Sequence, residues 1–252
     1  MANGQYWSLM MIGLVATSVG KTTRAQPANV TAPSRPFTIG ERLSYNVHFG
    51  PKKVGSGSMH VVGIDTIRGR PAYHTTFRIK GGVPTYDVDD TFESWFAVDD
   101  LSSLRYNKDQ NEGSRERAHR YEIFPERRVY DDLTDEKPEQ PSVAEPLDDG
   151  SFVYFLRTVP LEIGQTYEFQ RYYKPDRNPV TIRVLRRERV TVPAGTFDAV
   201  VIQPIIKTKG MFSEDGRAEV WMSEDEHRMI VQMKSQLSVG SINLYLKSVG
   251  RP

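Results

Sequence analysis

Apolar and polar residues alternate at a spacing of two along most of this chain, the pattern of half-buried β-strands. The clearest stretch is Arg183 to Ile206, RVLRRERVTVPAGTFDAVVIQPII. Ile182, Val184, Val190 and Val192 share a face on one side of Pro193-Ala194-Gly195-Thr196, and Phe197, Ala199, Val201 and Ile205 do so on the other. Proline presets φ and glycine supplies φ > 0, so the spacing predicts a long antiparallel hairpin. The same alternation runs through Leu43 to Phe49, Tyr73 to Ile79, Leu104 to Gln110, Arg115 to Phe124, Tyr167 to Tyr173 and Arg217 to Ser223. Glu214-Asp215-Gly216 reads as a turn before the last of these, and Met229 to Val239 pairs with Ile242 to Leu246. About a dozen strands with turn signals between them indicate a barrel or a sandwich. Gly55, Gly57 and Gly63 inside one run point to bulges or sharp bending.

Two stretches depart from the alternation. Asp131 to Asp149 holds eight acids against one lysine, with three prolines, and reads as a solvated surface loop. A helix follows: Asp148 or Asp149 can cap it, Phe152, Phe155, Leu156 and Val159 form one apolar stripe, and Pro160 ends it. The fold expected is therefore all-β, a strongly curved antiparallel sheet forming a barrel or half-barrel, with one short α-helix on one face or plugging one mouth. A flat two-sheet sandwich is the alternative.

Several strands carry large side chains on both alternating faces: Phe92 and Phe96 against Trp95, Val220 and Met222 against Trp221, Leu244 and Leu246 against Tyr245. One short helix fills little of a sheet this large, so an apolar trough rimmed by Tyr and Trp is expected. Trp95, Phe155, Tyr173, Trp221 and Tyr245 are the candidate ligand-binding residues. A dry core filled by the same rings is the alternative.

Composition narrows the compartment and the chemistry. A net charge of +1 makes no case for nucleic acid, which needs a concentrated basic surface. Residues 1–25 read as an export signal, with a short apolar run from Trp7 to Val19 and small residues at Thr23 and Ala25. A buried N-terminal helix is the other reading of that run. Cleavage after Ala25 would remove Lys21 and Arg24, taking the charge from +1 to −1. Residues 26–36 form a flexible lead-in and 37–252 a single β domain, with the acidic Pro-rich loop at 131–147 and no membrane span after cleavage. With no cysteine there is no disulfide, thiolate site or lipid-anchor cysteine.

No catalytic residue is legible. The five histidines lack the helical pairing of a zinc site, and Glu116 and His119, three apart, face opposite ways on a strand. Asp87, Asp89, Asp90 and Glu93 lack the spacing of a calcium loop, and no nucleophile elbow or phosphate loop is present. No metal or cofactor is expected. Arg183, Arg187 and Arg189 share a face that could take an acidic headgroup, or could simply protect an exposed strand.

Five segments together carry a resemblance: FTIGERLSYNVHFGPKKVGSG from Phe37, DDTFESWFAVDDLSSLRY from Asp89, FVYFLRTVPLEIGQTY from Phe152, VTVPAGTFDAVVIQP from Val190, and AEVWMSEDEHRMIVQMKSQLSVGSINLYL from Ala218. In this order they resemble the exported bacterial proteins grouped as domain of unknown function 3108. The resemblance implies an envelope-associated all-β single domain, periplasmic or secreted, and no catalytic residues. The expected function is non-enzymatic binding of a lipid or other apolar or amphiphilic envelope molecule. The alternatives are a structural or assembly factor that contacts another envelope protein and, third, a hydrolase of envelope polymer.

Overall fold

A computed structural model describes residues 34–83, 86–207, 212, 217–236 and 241–251. The proposed signal peptide, most of the lead-in, the Glu214-Asp215-Gly216 turn, and Leu237 and Val239 lie outside them.

The chain forms strands β1 (Arg42–Phe49), β2 (Lys52–Ile67), β3 (Arg70–Val83), β4 (Tyr86–Ala97), β5 (Ser103–Glu112), β6 (Arg115–Phe124), β7 (Val129–Asp132) and β8 (Lys137–Pro141). Helix α1 (Asp149–Leu156) follows. Then come β9 (Thr166–Phe169), β10 (Val180–Val192), β11 (Gly195–Ile205), β12 (Glu219–Ser223), β13 (Ile230–Gln236) and β14 (Ser241–Gly250). The fourteen strands make one antiparallel sheet in the order β8-β7-β6-β5-β4-β3-β2-β1-β14-β13-β12-β11-β10-β9. Every neighbour but one is adjacent in sequence; the exception is β1 with β14, which joins the two ends of the meander.

The sheet curls but does not close. β8 and β9 are its edges, and the chain between them enters the interior as α1. Across the gap runs a parallel bridge of Leu147 with Tyr172, and beside it Ser142 Oγ donates to Tyr173 O at 2.8 Å and Arg171 Nε to Glu145 O at 2.9 Å. The Leu147 N–H donates to Arg171 O at 2.5 Å, and the Tyr173 N–H to Leu147 O at 3.0 Å. This is an open barrel rather than a sandwich.

The curl has local causes. Gly55 and Gly81 are partners across β2 and β3, and a Cβ on Gly55 would overlap the Lys80 carbonyl. On Gly81 it would sit 2.5 Å from Val54 O. Only glycine permits backbones this close. Register shifts bend the sheet further, one of them placing an extra residue before Gly63. Another shift corrects the sequence reading of the long hairpin. Val184 pairs with Ile202, but Arg186 pairs with Val201, so Leu185 is an extra residue. One extra residue reverses the faces, so Ile182 and Val184 do not share a face with Val190 and Val192.

Three further expectations are corrected. The acidic stretch is not one loop: the end of β7 and the whole of β8 lie within it and extend the sheet. Pro138 and Pro141 misled because proline is tolerated on an edge strand, where its missing N–H faces no partner. The strand expected to run to Tyr173 ends at Phe169, because Asn178 takes over the next backbone groups. Its Oδ1 accepts from the Tyr172 N–H at 2.8 Å and its Nδ2 donates to Tyr172 O at 2.9 Å. Finally, α1 has no exposed face. Gly150 to Leu156 are all buried, so it fills the barrel rather than lying against one surface.

Helix α1 starts where Asp148 caps it, its Oδ1 accepting from the Gly150 N–H at 2.7 Å and the Ser151 N–H at 2.9 Å. Gly150 lets it approach β4, since a Cβ there would meet Ser94 Oγ at 2.7 Å. Tyr154 packs on Phe37 and Phe96 at 5.0 and 5.5 Å between ring centres, Phe152 on Phe212 at 5.4 Å, and Phe155 on Phe169 at 5.0 Å. At its C-terminal end Arg157 is buried and pairs with Glu41, its Nη1 at 2.5 Å from Oε1. Its Nη2 also donates to Pro36 O at 2.8 Å and His227 O at 2.7 Å. That end of the barrel is sealed.

Candidate functional site

In a meander every second turn lies at the same end. The C-terminal ends of β1, β3, β5 and β13 therefore surround the end opposite Arg157, and two adjoining cavities open there.

The larger, about 410 Å³, is apolar. Phe77 and Ile79 of β3, Val88 and Phe92 of β4, Met233 of β13 and Ile242 of β14 form its walls; Val153 of α1 forms its floor. Phe77, Ile79, Val88, Phe92 and Ile242 are only half-buried because they border this space. Phe77 and Phe92 stack at 6.0 Å. Asp90 and Glu112 stand at its rim. Burial raises the Asp90 carboxyl above its usual range, while Gln110 and the Asn111 N–H hold it partly in check.

The smaller cavity, about 250 Å³, is polar. Tyr106, Tyr121, Tyr172 and Tyr173 line it, with Lys108, Arg117, Lys174 and Arg177 as its cations and Asp149 as its carboxylate. Lys108, Gln110 and Asp149 belong to both cavities, so the two share a wall. Asp149 Oδ2 accepts from Tyr106 Oη at 3.0 Å, and its Oδ1 from Tyr172 Oη at 2.8 Å. Burial first, and Asp149 second, raise both phenols well above the usual tyrosine range, so they stay donors at neutral pH. Lys174 sits over Tyr121, Tyr130 and Tyr173 at 5.2, 5.7 and 5.2 Å. Burial lowers its pKa.

Of the five ligand-binding residues expected from sequence, Tyr173 alone lines a cavity. Trp95, Trp221 and Tyr245 are on the outer face of the sheet. Trp95 belongs to a satellite cluster with Ile67, Ala72, Ala97 and Leu104, and its Nε1 donates to Asp65 at 2.8 Å. His74 stacks on it at 4.4 Å and Arg105 lies over it at 5.7 Å. Trp221 pairs with Gln232 and Val201 while Val220 pairs with the cavity-lining Met233, and Lys234 and Arg186 cover the indole at 5.0 and 5.8 Å. Tyr245 pairs with Gln232 on that outer face and packs edge-on against His48 at 5.0 Å. Phe155 is inside but lies between Phe169 and the Arg171 guanidinium, 4.9 Å away. The alternation separated two faces correctly. It could not say that long cationic side chains, with their apolar stems, bury rings on the convex one.

The arginine row of β10 is also accounted for. Arg186 pairs with Glu188 and Glu219, both at 3.0 Å, Arg187 with Glu224 at 2.7 Å, and Arg189 with Asp198 at 3.9 Å. These three charges are met by neighbouring carboxylates, beside a length of β10 that β9 leaves unpaired, whereas Arg183 reaches only Gln203 Oε1 at 3.4 Å and is set off from Arg187 and Arg189 by the extra residue Leu185. His119, Asp132 and Asp135 bring possible ligand atoms within 4.8 Å of one another. Those carboxylates already serve the β7–β8 turn. Asp132 Oδ1 accepts from the Thr134 and Asp135 N–H groups at 3.2 and 3.3 Å, and Asp135 pairs with Lys137 at 2.9 Å.

Chemically, the paired cavities can hold a ligand with an apolar body and a polar end. Asp148 stands apart from them. Burial pushes its carboxyl up to about 6, but Ser94 and Ser103 enclose it, it caps α1, and it lines neither cavity.

An open, helix-plugged β-barrel with an interior cavity is the class of protein that this geometry defines. The chain belongs to the family described as "Protein of unknown function (DUF3108)", whose model matches residues 44–247. Among solved structures it is similar to a beta-barrel-like protein of domain of unknown function DUF1849 from Brucella abortus. The two are 11% identical with a TM-score of 0.53, over 84% of this chain and 97% of that one, which shows a shared fold. It is also similar to a protein titled "putative lipoprotein" from Parabacteroides distasonis, at 14% identity and a TM-score of 0.38, over 86% of this chain and 97% of that one. No curated protein matches.

Proposed function

We propose that this is a non-enzymatic protein of the bacterial envelope, periplasmic or secreted, which binds an apolar or amphiphilic molecule in its open barrel. The observation that carries the reading is the apolar cavity at the unsealed end, lined by half-buried Phe77, Ile79, Phe92 and Ile242. Its volume of about 410 Å³ falls in the range of small-molecule sites. Enclosed apolar surface left open to water is costly, and a ligand that covers it recovers the transfer free energy. The leader-like residues 1–25 support export, where amphiphiles are plentiful.

The assembly-factor reading draws less support. Edge strand β8 carries Lys137, Pro138, Glu139 and Pro141, and the arginine row borders the other free edge, both features that discourage strand addition. The hydrolase reading also draws less support: Asp90, Glu112 and Asp149 border the apolar cavity, but Asp149 accepts from Tyr106 and Tyr172, and Asp90 from Gln110 and the Asn111 N–H.

The test is titration with a neutral environment-sensitive apolar dye, then with a neutral monoacylglycerol as competitor. Saturable binding that Val153→Trp and Phe92→Arg abolish, in variants that still melt cooperatively, is the expected result. Absence of saturable binding to the unaltered protein would remove the reading.

A further inference from the structure

The polar cavity adds a choice of headgroup to an apolar one that has no such preference. Resting on the binding function proposed above, we infer that the ligand is a single-chain anionic amphiphile. Its head lies in the polar cavity against Lys174, and its hydrocarbon lies in the apolar one.

Lys174 is the centre of the argument. It is half-buried at the cavity wall, and no carboxylate lies within ion-pair distance of it among the described residues. Charges taken out of water are normally paired, because desolvation is costly. The three nearby carboxylates are engaged elsewhere. Asp132 closes the β7–β8 turn, Asp149 accepts from two tyrosines, and Asp176 pairs with Arg177 at 3.1 Å. The Lys174 ammonium faces only the Tyr121, Tyr130 and Tyr173 rings.

Those rings also decide the sign of the ligand. Three tyrosines are what a cationic head would need, but Lys174 already occupies them. Other groups at the cavity point the same way. Arg117 lies exposed at its edge with no ion pair among the described residues. His119 Nδ1 is buried without a hydrogen-bond partner, while its ring stacks on Tyr121 at 5.8 Å.

Lys108 connects the two compartments. Its Nζ lies 5.4 Å over the Phe92 ring, which walls the apolar cavity, and 3.9 Å from Asp149 Oδ2. A chain passing over this shared wall places a head and a tail on opposite sides of one lysine. The polar cavity, about 250 Å³, is large enough for a carboxylate or phosphate but has little apolar lining for a second chain.

The experiment compares heads on one tail. Palmitate and a palmitoyl lysophosphatidate are titrated against monopalmitoylglycerol and hexadecyltrimethylammonium, all below their aggregation limits, with acetate and inorganic phosphate as tail-free anions. We expect an anionic amphiphile to bind at least about tenfold tighter than the neutral one, and the tail-free anions to bind far more weakly. Palmitate and the lysophosphatidate separate a carboxylate from a phosphate head, and preference for either supports the inference. Lys174→Gln should abolish the preference, so that anionic and neutral amphiphiles bind within about twofold of one another; Lys174→Arg should keep it, and Arg186→Gln on the outer face should leave every affinity unchanged. If Lys174→Gln does not fold, the ranking of heads on the unaltered protein still decides. Equal affinity for neutral and anionic amphiphiles overturns this inference and leaves the apolar-cavity function standing, whereas binding of none of them removes both.

Discussion

Both ends of the barrel bury a cation, and they treat it in opposite ways. At the sealed end Arg157 is fully enclosed, pairs with Glu41 and donates to two backbone carbonyls. At the open end Lys174 is half-enclosed, faces three rings and pairs with no carboxylate among the described residues. Guanidinium is planar and offers several donors in fixed directions, which suits it to a fixed internal knot, although Arg157 Nε finds no partner there. Ammonium is a compact charge on a flexible stem, which suits it to a partner that comes and goes. One end is built for stability, the other for occupancy.

The comparison breaks most readily at Glu41. Replacing it with alanine leaves Arg157 buried without its counter-charge, and unfolding in denaturant should show a loss of about 3–5 kcal/mol. Replacing Glu41 and Arg157 together with methionine should cost much less, because no unpaired charge remains. If the single and double variants lose the same amount, the sealed end owes its stability to packing alone.

The same contrast holds among the rings. Phe152 is wholly enclosed and packs on Phe212, so Phe152→Ala should cost about 3–5 kcal/mol. Phe92 borders an open cavity and loses less burial, so Phe92→Ala should cost about half as much or less. Equal losses in thermal and denaturant melts would mean that the cavity wall is packed as tightly as the core.

Asp148 lies between the two ends. Its carboxyl titrates near 6 when folded, above the ordinary value of 3.8. Burial raises it most, and Asp149 adds to this; Ser94, Ser103 and the Ser151 N–H oppose the rise. A folded pKa above the unfolded one means that the folded protein holds the proton more tightly. The stabilising contribution is therefore full below about pH 4 and is lost as pH rises through about 6, on the order of 3 kcal/mol in all. Asp148→Asn keeps a capping side chain that cannot ionise, so it should flatten stability between pH 4 and 7. A pH–stability curve unchanged by the substitution would show that Asp148 is not the group responsible.

How much of this was legible beforehand follows from what alternation records. Leu43 to Phe49 and Tyr73 to Ile79 read correctly as strands, and one of Asp148 and Asp149 as a cap, because spacing and capping are local properties. The helix was placed, yet its stripe of Phe152, Phe155 and Leu156 suggested one buried side. Gly150, Ser151 and Val153 are buried as well, because the barrel surrounds them. A trough was expected beside the alternative of a dry core, and of its expected lining only Tyr173 borders a cavity. Trp95, Trp221 and Tyr245 were chosen for size, and a period of two does not say which face is concave. Lys108 and Lys174 had no signal at all in the sequence. Each resembles any surface lysine until the curl of the sheet brings β5 opposite the segment after β9. The extra residue at Leu185 was equally silent, since it shows only in the partners of Val184 and Arg186.

The smallest expected effect sharpens the comparison furthest. Lys174→Met removes a half-buried ammonium and keeps a chain of similar length over the same rings. Losing its attraction to three tyrosines should cost about 0.5–2 kcal/mol, and relief from desolvating an uncompensated charge should return a similar amount. The net change in unfolding free energy, without ligand, should lie within about 1 kcal/mol of zero. Arg157→Met, by contrast, strands Glu41 and should destabilise strongly. Chemical denaturation of the two variants side by side is the measurement. If Lys174→Met unfolds as readily as Arg157→Met, the ammonium is holding the fold together, and the rings around it are its partners rather than the waiting room for an anion. If it melts like the unaltered protein, the charge at the mouth serves something other than the fold.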